Sequence, residues 1–148
     1  MKTSLTNCFE FLDGSISASK IAQVLQHGTQ FHDSGAYSVF MGQVRNDIIK
    51  NKTVRAINYT ANVEMAKHVM TGILDDAFNE FDTKIVHVLH SLGEVSKGEI
   101  CLLVMVVCGH RKESFRACEY IVERLKKELP VWGQEILEDN THTWKINK

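Results

Sequence analysis

A chain of 148 residues with 44% hydrophobic content has enough apolar surface for one core, and its length fits one domain, residues 1–148. A formal net charge of -1 with 24% charged residues gives no overall field to gather nucleic acid or an anionic membrane, so any anion must be caught locally. No apolar run nears the ~20 residues of a membrane span, and residues 1–7 lack a signal-peptide core, so the expected location is cytoplasmic.

In chain order, Phe9-Glu-Phe-Leu alternates as a short strand that Asp13-Gly14 turns. Ser15 or Ser17 caps a helix whose Ile21, Val24 and Leu25 face the core, and Gly28 ends it. Residues 36–42 read as a buried second strand. The polar Asn46-Asp47 and Lys50-Asn51-Lys52 predict a mobile loop before a strand over 54–59. From 63 to 81, Met65, Val69, Ile73, Ala77 and Phe78 recur at helical spacing, so a long amphipathic helix is expected even though Gly72 costs it ~1 kcal/mol relative to alanine. Residues 84–90 read as a strand and 92–98 as a connection.

The longest apolar run, 99–108, is β-branched and unbroken and stops at Gly109, which predicts a strand buried on both faces. A helix follows from His110-Arg111, with Phe115, Cys118, Val122, Leu125 and Leu129 as its apolar stripe and Pro130 as its stop. Glu135-Ile-Leu and residues 142–146 are two short strand candidates. The element order predicts an α/β (α+β) layer structure, with helices covering one side of a mixed sheet. Cys8, Cys101, Cys108 and Cys118 have no C-x-x-C spacing and two lie in the buried run, so neither zinc nor disulfides are indicated and the thiols read as core residues.

Five basic or imidazole side chains could carry chemistry. Arg45 follows the second strand at its end, where ligands sit in open α/β sheets, although a surface arginine at a sheet edge fits the same pattern. His110 and Arg111 stand at a helix start, where unpaired N–H groups and the dipole favour an anion and disfavour a cation that has no ligand. Lys126 borders the buried stripe between Leu125 and Leu129, while Lys127 points toward solvent. A lysine desolvated against apolar walls becomes a usable base or nucleophile, and most helical lysines are simply solvated. Arg111 and Lys126 are 15 residues apart, which at helical rise is ~22 Å. If both serve one small substrate, a second copy of the chain must complete the pocket.

These residues resemble the large, catalytic subunit of molybdopterin synthase, the MoaE type. The resemblance rests on Gly35-Ala, Phe40-Met-Gly-Gln-Val-Arg45, Tyr59-Thr-Ala with Met65-Ala, His90 with Gly93, and Gly98-Glu99. It continues through His110-Arg111 with Phe115 and Ala117, Leu125-Lys126, and Pro130-Val-Trp132 with Glu135. It implies an α/β hammerhead-type fold and a homodimer, which becomes a heterotetramer with two copies of a small ubiquitin-like sulfur carrier of the MoaD type. The carrier's C-terminal Gly-Gly thiocarboxylate would enter a pocket at the dimer interface. Two sulfurs would pass there to cyclic pyranopterin monophosphate, making the molybdopterin dithiolene, with no metal or organic cofactor in the protein itself. By position, Lys126 matches the catalytic lysine, while Arg45 and His110-Arg111 match substrate-binding residues, the last pair reaching in from the partner subunit.

The chain departs from that family at Trp132-Gly133-Gln134-Glu135, where the family carries a second pocket lysine after the tryptophan. It also has Thr60 and Asn62 in place of acidic and aromatic residues, and His90-Ser91 in place of His-Arg. Lys127 and Lys145 are the two candidates for the missing charge. The rival functional readings are a family member that binds carrier or pterin without efficient turnover, and a cysteine route through Cys118.

Overall fold

The computed structural model describes residues 7–147, and of Asn7 only the backbone. Apart from that backbone, the stretch read above for a leader lies outside the described residues. The elements are β1 (Asn7–Asp13), α1 (Ala18–His27), a 3₁₀ turn (Gly28–Gln30), β2 (Ala36–Gln43), β3 (Ile48–Ile49), β4 (Lys52–Ala61) and α2 (Val63–Glu80). They continue with β5 (Thr83–Ser96), β6 (Ile100–Cys108), α3 (Arg111–Glu128), β7 (Val131–Leu137) and β8 (His142–Trp144).

The sheet runs β2-β6-β5-β4-β7-β8, with β1 added parallel to β5 and the other pairings antiparallel, so it is mixed as expected. Strand β5 joins its two halves. Val86 to Leu92 pair with β1 on one edge while much of the same stretch pairs with β6 on the other; past Gly93 the strand pairs with β4 instead. Gly93 sits at φ +80, a backbone region that costs glycine nothing and lets the strand change direction. The expected connection over 92–98 is thus the second half of one strand. Its glycine reads as a break in sequence and acts as a bend in the sheet.

Strand β6 explains the layering. Leu102, Val104, Val106 and Cys108 point into the larger core with α2 and α3, and Leu103, Met105 and Val107 point into a second core that includes Val24 of α1. Alternation on a strand buried on both sides forces helices onto both faces. The expectation that helices cover one side is therefore corrected: α1 lies opposite α2 and α3. Three side chains read on core-facing stripes lie outside the core, Leu25 at 37% exposure, Met65 at 53% and Phe115 at 64%. Ser114, Ala117, Cys118, Ile121 and Leu125 form the buried stripe of α3 instead.

Three further expectations change. The stretch read as a mobile loop holds a two-residue hairpin, with Lys50 and Asn51 at φ 52 and 64 between β3 and β4, the positive-φ pair that tight hairpins need. Strand β2 is an edge strand whose Tyr37, Val39 and Met41 are exposed, not a buried one. Strand β7 starts directly after Pro130, because pairing with β4 carries it through Trp132-Gly133, where the apolar alternation fails.

Local bonds set the ends of the helices. Ser17 Oγ accepts from Lys20 N at 3.1 Å and Asn62 Oδ1 from Met65 N at 3.2 Å, two ordinary N-caps. Helix α3 is tied to β2 from inside, since Ser38 and Ser114, both buried, share a hydrogen bond of 2.7 Å. Ser114 Oγ also donates to the Arg111 carbonyl at 3.2 Å.

Candidate active site

Helix α3 carries candidate residues at both ends, and the two ends face different cavities. At its C-terminal end Lys126 is half-buried because it flanks Leu125, which is 3% exposed. A cavity of about 380 Å³ is lined there by Arg45, Tyr59, Cys101, Lys126, Glu135 and Lys145. A neighbouring cavity of about 250 Å³ is lined by His90, Lys126, Lys127, Trp132, Gly133 and Lys145, among others. A third, wider opening shares Arg45, Lys126, Glu135 and Lys145 and is rimmed by the exposed Ile48, Trp144 and Ile146.

The electrostatics of this region follow from burial next to charge. Burial, reinforced by the positive charge of Lys145, holds the Lys126 ammonium below the usual lysine range, and Cys101 opposes the shift. Beneath it Tyr59 donates to Cys101 Sγ at 3.4 Å, and that thiol donates to the Gly42 carbonyl at 3.4 Å. Burial, then Cys101 and Glu135, push the Tyr59 phenol well above its usual range, so it stays a neutral donor. His90 stands edge-on to Tyr59, with ring centres 5.2 Å apart. Its Nδ1 lies 2.8 Å from the Ser91 carbonyl, which can only accept, so Nδ1 carries the proton. Burial pushes His90 down to about 4, against that hydrogen bond and with help from Lys126. Across these adjoining cavities lie cationic side chains, a neutral imidazole and a buried carboxyl group, suited to gripping one small anionic group and handling its protons.

Arg45 reaches the cavity from the loop after β2, its side chain 72% exposed and paired with Asp47 at 3.3 Å. An exposed pair of that kind contributes at most ~1 kcal/mol, so an incoming anion can displace Asp47. Lys127 is exposed and lines only the neighbouring cavity. His110 and Arg111 are exposed at the far end of α3, where His110 occupies the cap position with no side-chain bond to the helix. A separate opening there is lined by Gly35, Gly109, His110, Arg111, Lys112 and Phe115. Gly35 is required by close approach, since a Cβ on it would lie 2.5 Å from the Gly109 carbonyl oxygen. The fold therefore brings Arg45 to Lys126 and leaves His110 and Arg111 a helix length away.

Some lining residues were not singled out by sequence reasoning. Cys101 reads there as a core thiol, and Glu135 and Tyr59 only as family positions. Lys145, one of the two candidates for the missing charge, reaches the cavity through pairing of β7 with β8, which no local pattern announces. Cys118 belongs to the main core and burial raises its thiol, which fits packing better than nucleophilic chemistry. Among the described residues, no group of three or more His, Cys, Asp and Glu side chains is placed to share a metal ion. No helix among them is long and apolar enough to cross a membrane.

Comparison with known proteins identifies the family to which this mixed sheet with helices on both faces belongs. The MoaE protein family matches residues 13–128, and the chain belongs to it. It is 34% identical over 112 residues to the molybdopterin synthase catalytic subunit of Thermoplasma volcanium, covering 76% of this chain and 81% of that protein. It is 36% identical over 106 residues to that of Pyrococcus abyssi, covering 72% and 71%. Against the Rattus norvegicus protein of the same name, 34% identity over 114 residues covers 77% of this chain but only 56% of the rat protein. The X-ray crystal structure of molybdopterin synthase from Staphylococcus aureus superposes with a TM-score of 0.80 at 30% identity, over 93% of this chain and 96% of that one. The fold is also that of one chain in a complex of subunits 1 and 2 of molybdopterin-converting factor from Helicobacter pylori, with a TM-score of 0.79 at 19% identity over 95% of this chain and 91% of that one.

Proposed function

We propose that this protein is the sulfur-transferring large subunit of a molybdopterin synthase, acting in molybdenum cofactor biosynthesis in the cytoplasm. A small ubiquitin-like carrier docks on it and its C-terminal Gly-Gly thiocarboxylate enters the cavity at Lys126. Sulfur passes to cyclic pyranopterin monophosphate, water attacks the carrier's carbonyl carbon as the C–S bond breaks, and the carrier leaves as a carboxylate. Lys126 stabilises the negative charge that develops at the thiocarboxylate carbonyl and exchanges a proton during carrier release. Arg45 holds an anionic group beside it. His110 and Arg111 of a second copy hold the substrate phosphate, so the working unit is a homodimer, or a heterotetramer with two carriers.

The observation that carries this reading is the half-buried Lys126, held below the ordinary lysine range, in one cavity with Arg45. The apolar rim of Ile48, Trp144 and Ile146 supports docking of a protein partner, because exposed apolar clusters beside a polar cavity mark such surfaces. The reading in which Gly133 leaves only a binder has no observation in its favour, since a second lysine lines the cavity. Mixing the protein with thiocarboxylated carrier and cyclic pyranopterin monophosphate and following dithiolene formation tests the proposal. Native protein turns over, and Lys126→Ala loses roughly 10²-fold or more of the rate, the scale of removing one preorganised charge-stabilising group. Native protein that binds carrier but makes no dithiolene, or a Lys126→Ala variant at native rate, would overturn it.

A further inference from the structure

Lys145 lines all three openings around Lys126, which Lys127 does not. Its place is fixed by the backbone on either side. Lys145 N donates to the Gly133 carbonyl at 2.8 Å, continuing the pairing of β8 with β7. Two residues on, Asn147 Nδ2 donates to the Lys126 carbonyl at 3.1 Å. Residues 145–147 therefore run from the end of β8, still bonded to β7, to the last turn of α3, and Lys145 is held over the space between them.

Gly133 leaves room for this arrangement. A Cβ at that position would stand 3.5 Å from Lys145 Cβ, 3.2 Å from Tyr59 Cε1 and 3.0 Å from Ile57 Cγ2. A longer side chain on β7 and the stem of Lys145 would thus press on the same wall. The chain places this lysine just after β8 and keeps the facing position of β7 bare.

We propose that Lys145 is the second functional lysine of this site, a positioning residue that acts through Lys126 and, with Arg45 nearby, shares with it the negative charge of the carrier's thiocarboxylate end. This rests on the reading given under the proposed function. Two like charges at one cavity favour release of a proton from one of them, and after burial itself Lys145 is the charge that lowers Lys126, against the opposing pull of Cys101. The other ionisable groups facing Lys126 are Arg45 and Asp47 from the loop after β2, Tyr59 from β4, and His90 from β5. Cys101 from β6, Glu123 and Lys127 from α3 itself, and Glu135 from β7 complete the set. When an anion enters, the two ammonium groups no longer repel across an empty cavity but meet across a shared charge. Lys145 thereby lowers the proton affinity of Lys126 before binding and lends charge to the ligand afterwards.

The test uses the full chain, with two readouts. The first is the pH dependence of acylation of Lys126 by an amine-reactive ester, followed by peptide mass spectrometry on Lys145→Met, Lys145→Arg and the remote surface variant Lys67→Met. The Lys126 profile moves to higher pH in Lys145→Met and stays in place in Lys145→Arg and Lys67→Met. An unmoved profile in Lys145→Met, or the same move produced by Lys127→Met instead, overturns the proposal. The second readout is dithiolene formation with thiocarboxylated carrier. Lys145→Met slows it by about tenfold, the order of one lost charge contact at a reacting centre, and Lys145→Arg restores most of the rate. A native rate in Lys145→Met also overturns the proposal. The acylation readout needs no carrier, so it still judges Lys145 if the native chain makes no dithiolene and the functional reading itself fails.

Discussion

At the scale of single residues, two histidines tie stability to pH in one direction. His87 is 4% exposed and its Nε2 lies 3.0 Å from His27 Nδ1. Burial, then the charges of His27 and Lys20, push it down from 6.5 to about 4 against the pull of Glu10. His90 is pushed to about 4 as well. Between 6.5 and about 4 the unfolded chain binds protons that the folded one refuses, so stability falls as pH drops through that window and the loss is complete below it. Shifts of this size amount to on the order of 3 kcal/mol per histidine. Urea midpoints measured from pH 7 to pH 4 should fall steeply for the native chain and less steeply for His87→Gln. Parallel curves would remove His87 from the account. Sequence pattern alone treats His87 as one alternating position of a strand; only the pairing of β5 with β1 and β6, with α1 overhead, makes it a buried base.

At the scale of elements, the seam between β2 and α3 matters more than its few polar atoms suggest. Ser38 and Ser114 bond to each other inside it. Ser114→Ala leaves the Ser38 hydroxyl buried without this partner, at a cost of about 1–3 kcal/mol, whereas removing both hydroxyls together costs less. Chemical denaturation of the two single variants and the double variant checks this, and a double variant worse than the sum of the singles would refute it. The order of helices and strands was legible in advance, because amphipathic period and turn residues are local signals. Strand β6 is the clearest case, since a strand buried on both faces must be apolar throughout. Its neighbours were less legible. β2 reads as buried because it is apolar, although it ends the sheet, and Gly93 reads as a stop because no sequence signal separates a bend within a strand from a break between strands.

At the scale of the whole molecule, the wide separation of the two ends of α3 bears on the proposed function. Arg111 and Lys126 cannot meet within one chain if α3 is straight, for a rise of 1.5 Å per residue keeps them ~22 Å apart. If a homodimer completes each pocket, Arg111→Ala and Lys126→Ala are each inactive alone, and an exchanged equimolar mixture regains about a quarter of native turnover, because a symmetric dimer with one chain of each kind has one intact pocket. No recovery after proven subunit exchange would place both residues in pockets that do not cross the interface. The exposed apolar residues of β2, with Phe115 beyond them, mark one surface that such a partner could cover.

The sequence by itself determined the order of the elements apart from the short β3, the doubly buried strand, the stop at Pro130 and the family, because each depends on spacing within a few residues or on an ordered set of motifs. It also placed Lys126 at the border of the buried stripe of α3 and Lys127 toward solvent. Tertiary structure alone decided which cations share a cavity. Arg45 meets Lys126 through the order of strands in the sheet, and Lys145 meets it through the pairing of β8 with β7 and the bond from Asn147 to the end of α3. Charges that converge from distant parts of a chain leave no periodic trace along it, because what brings them together is the packing of layers rather than the geometry of any one element.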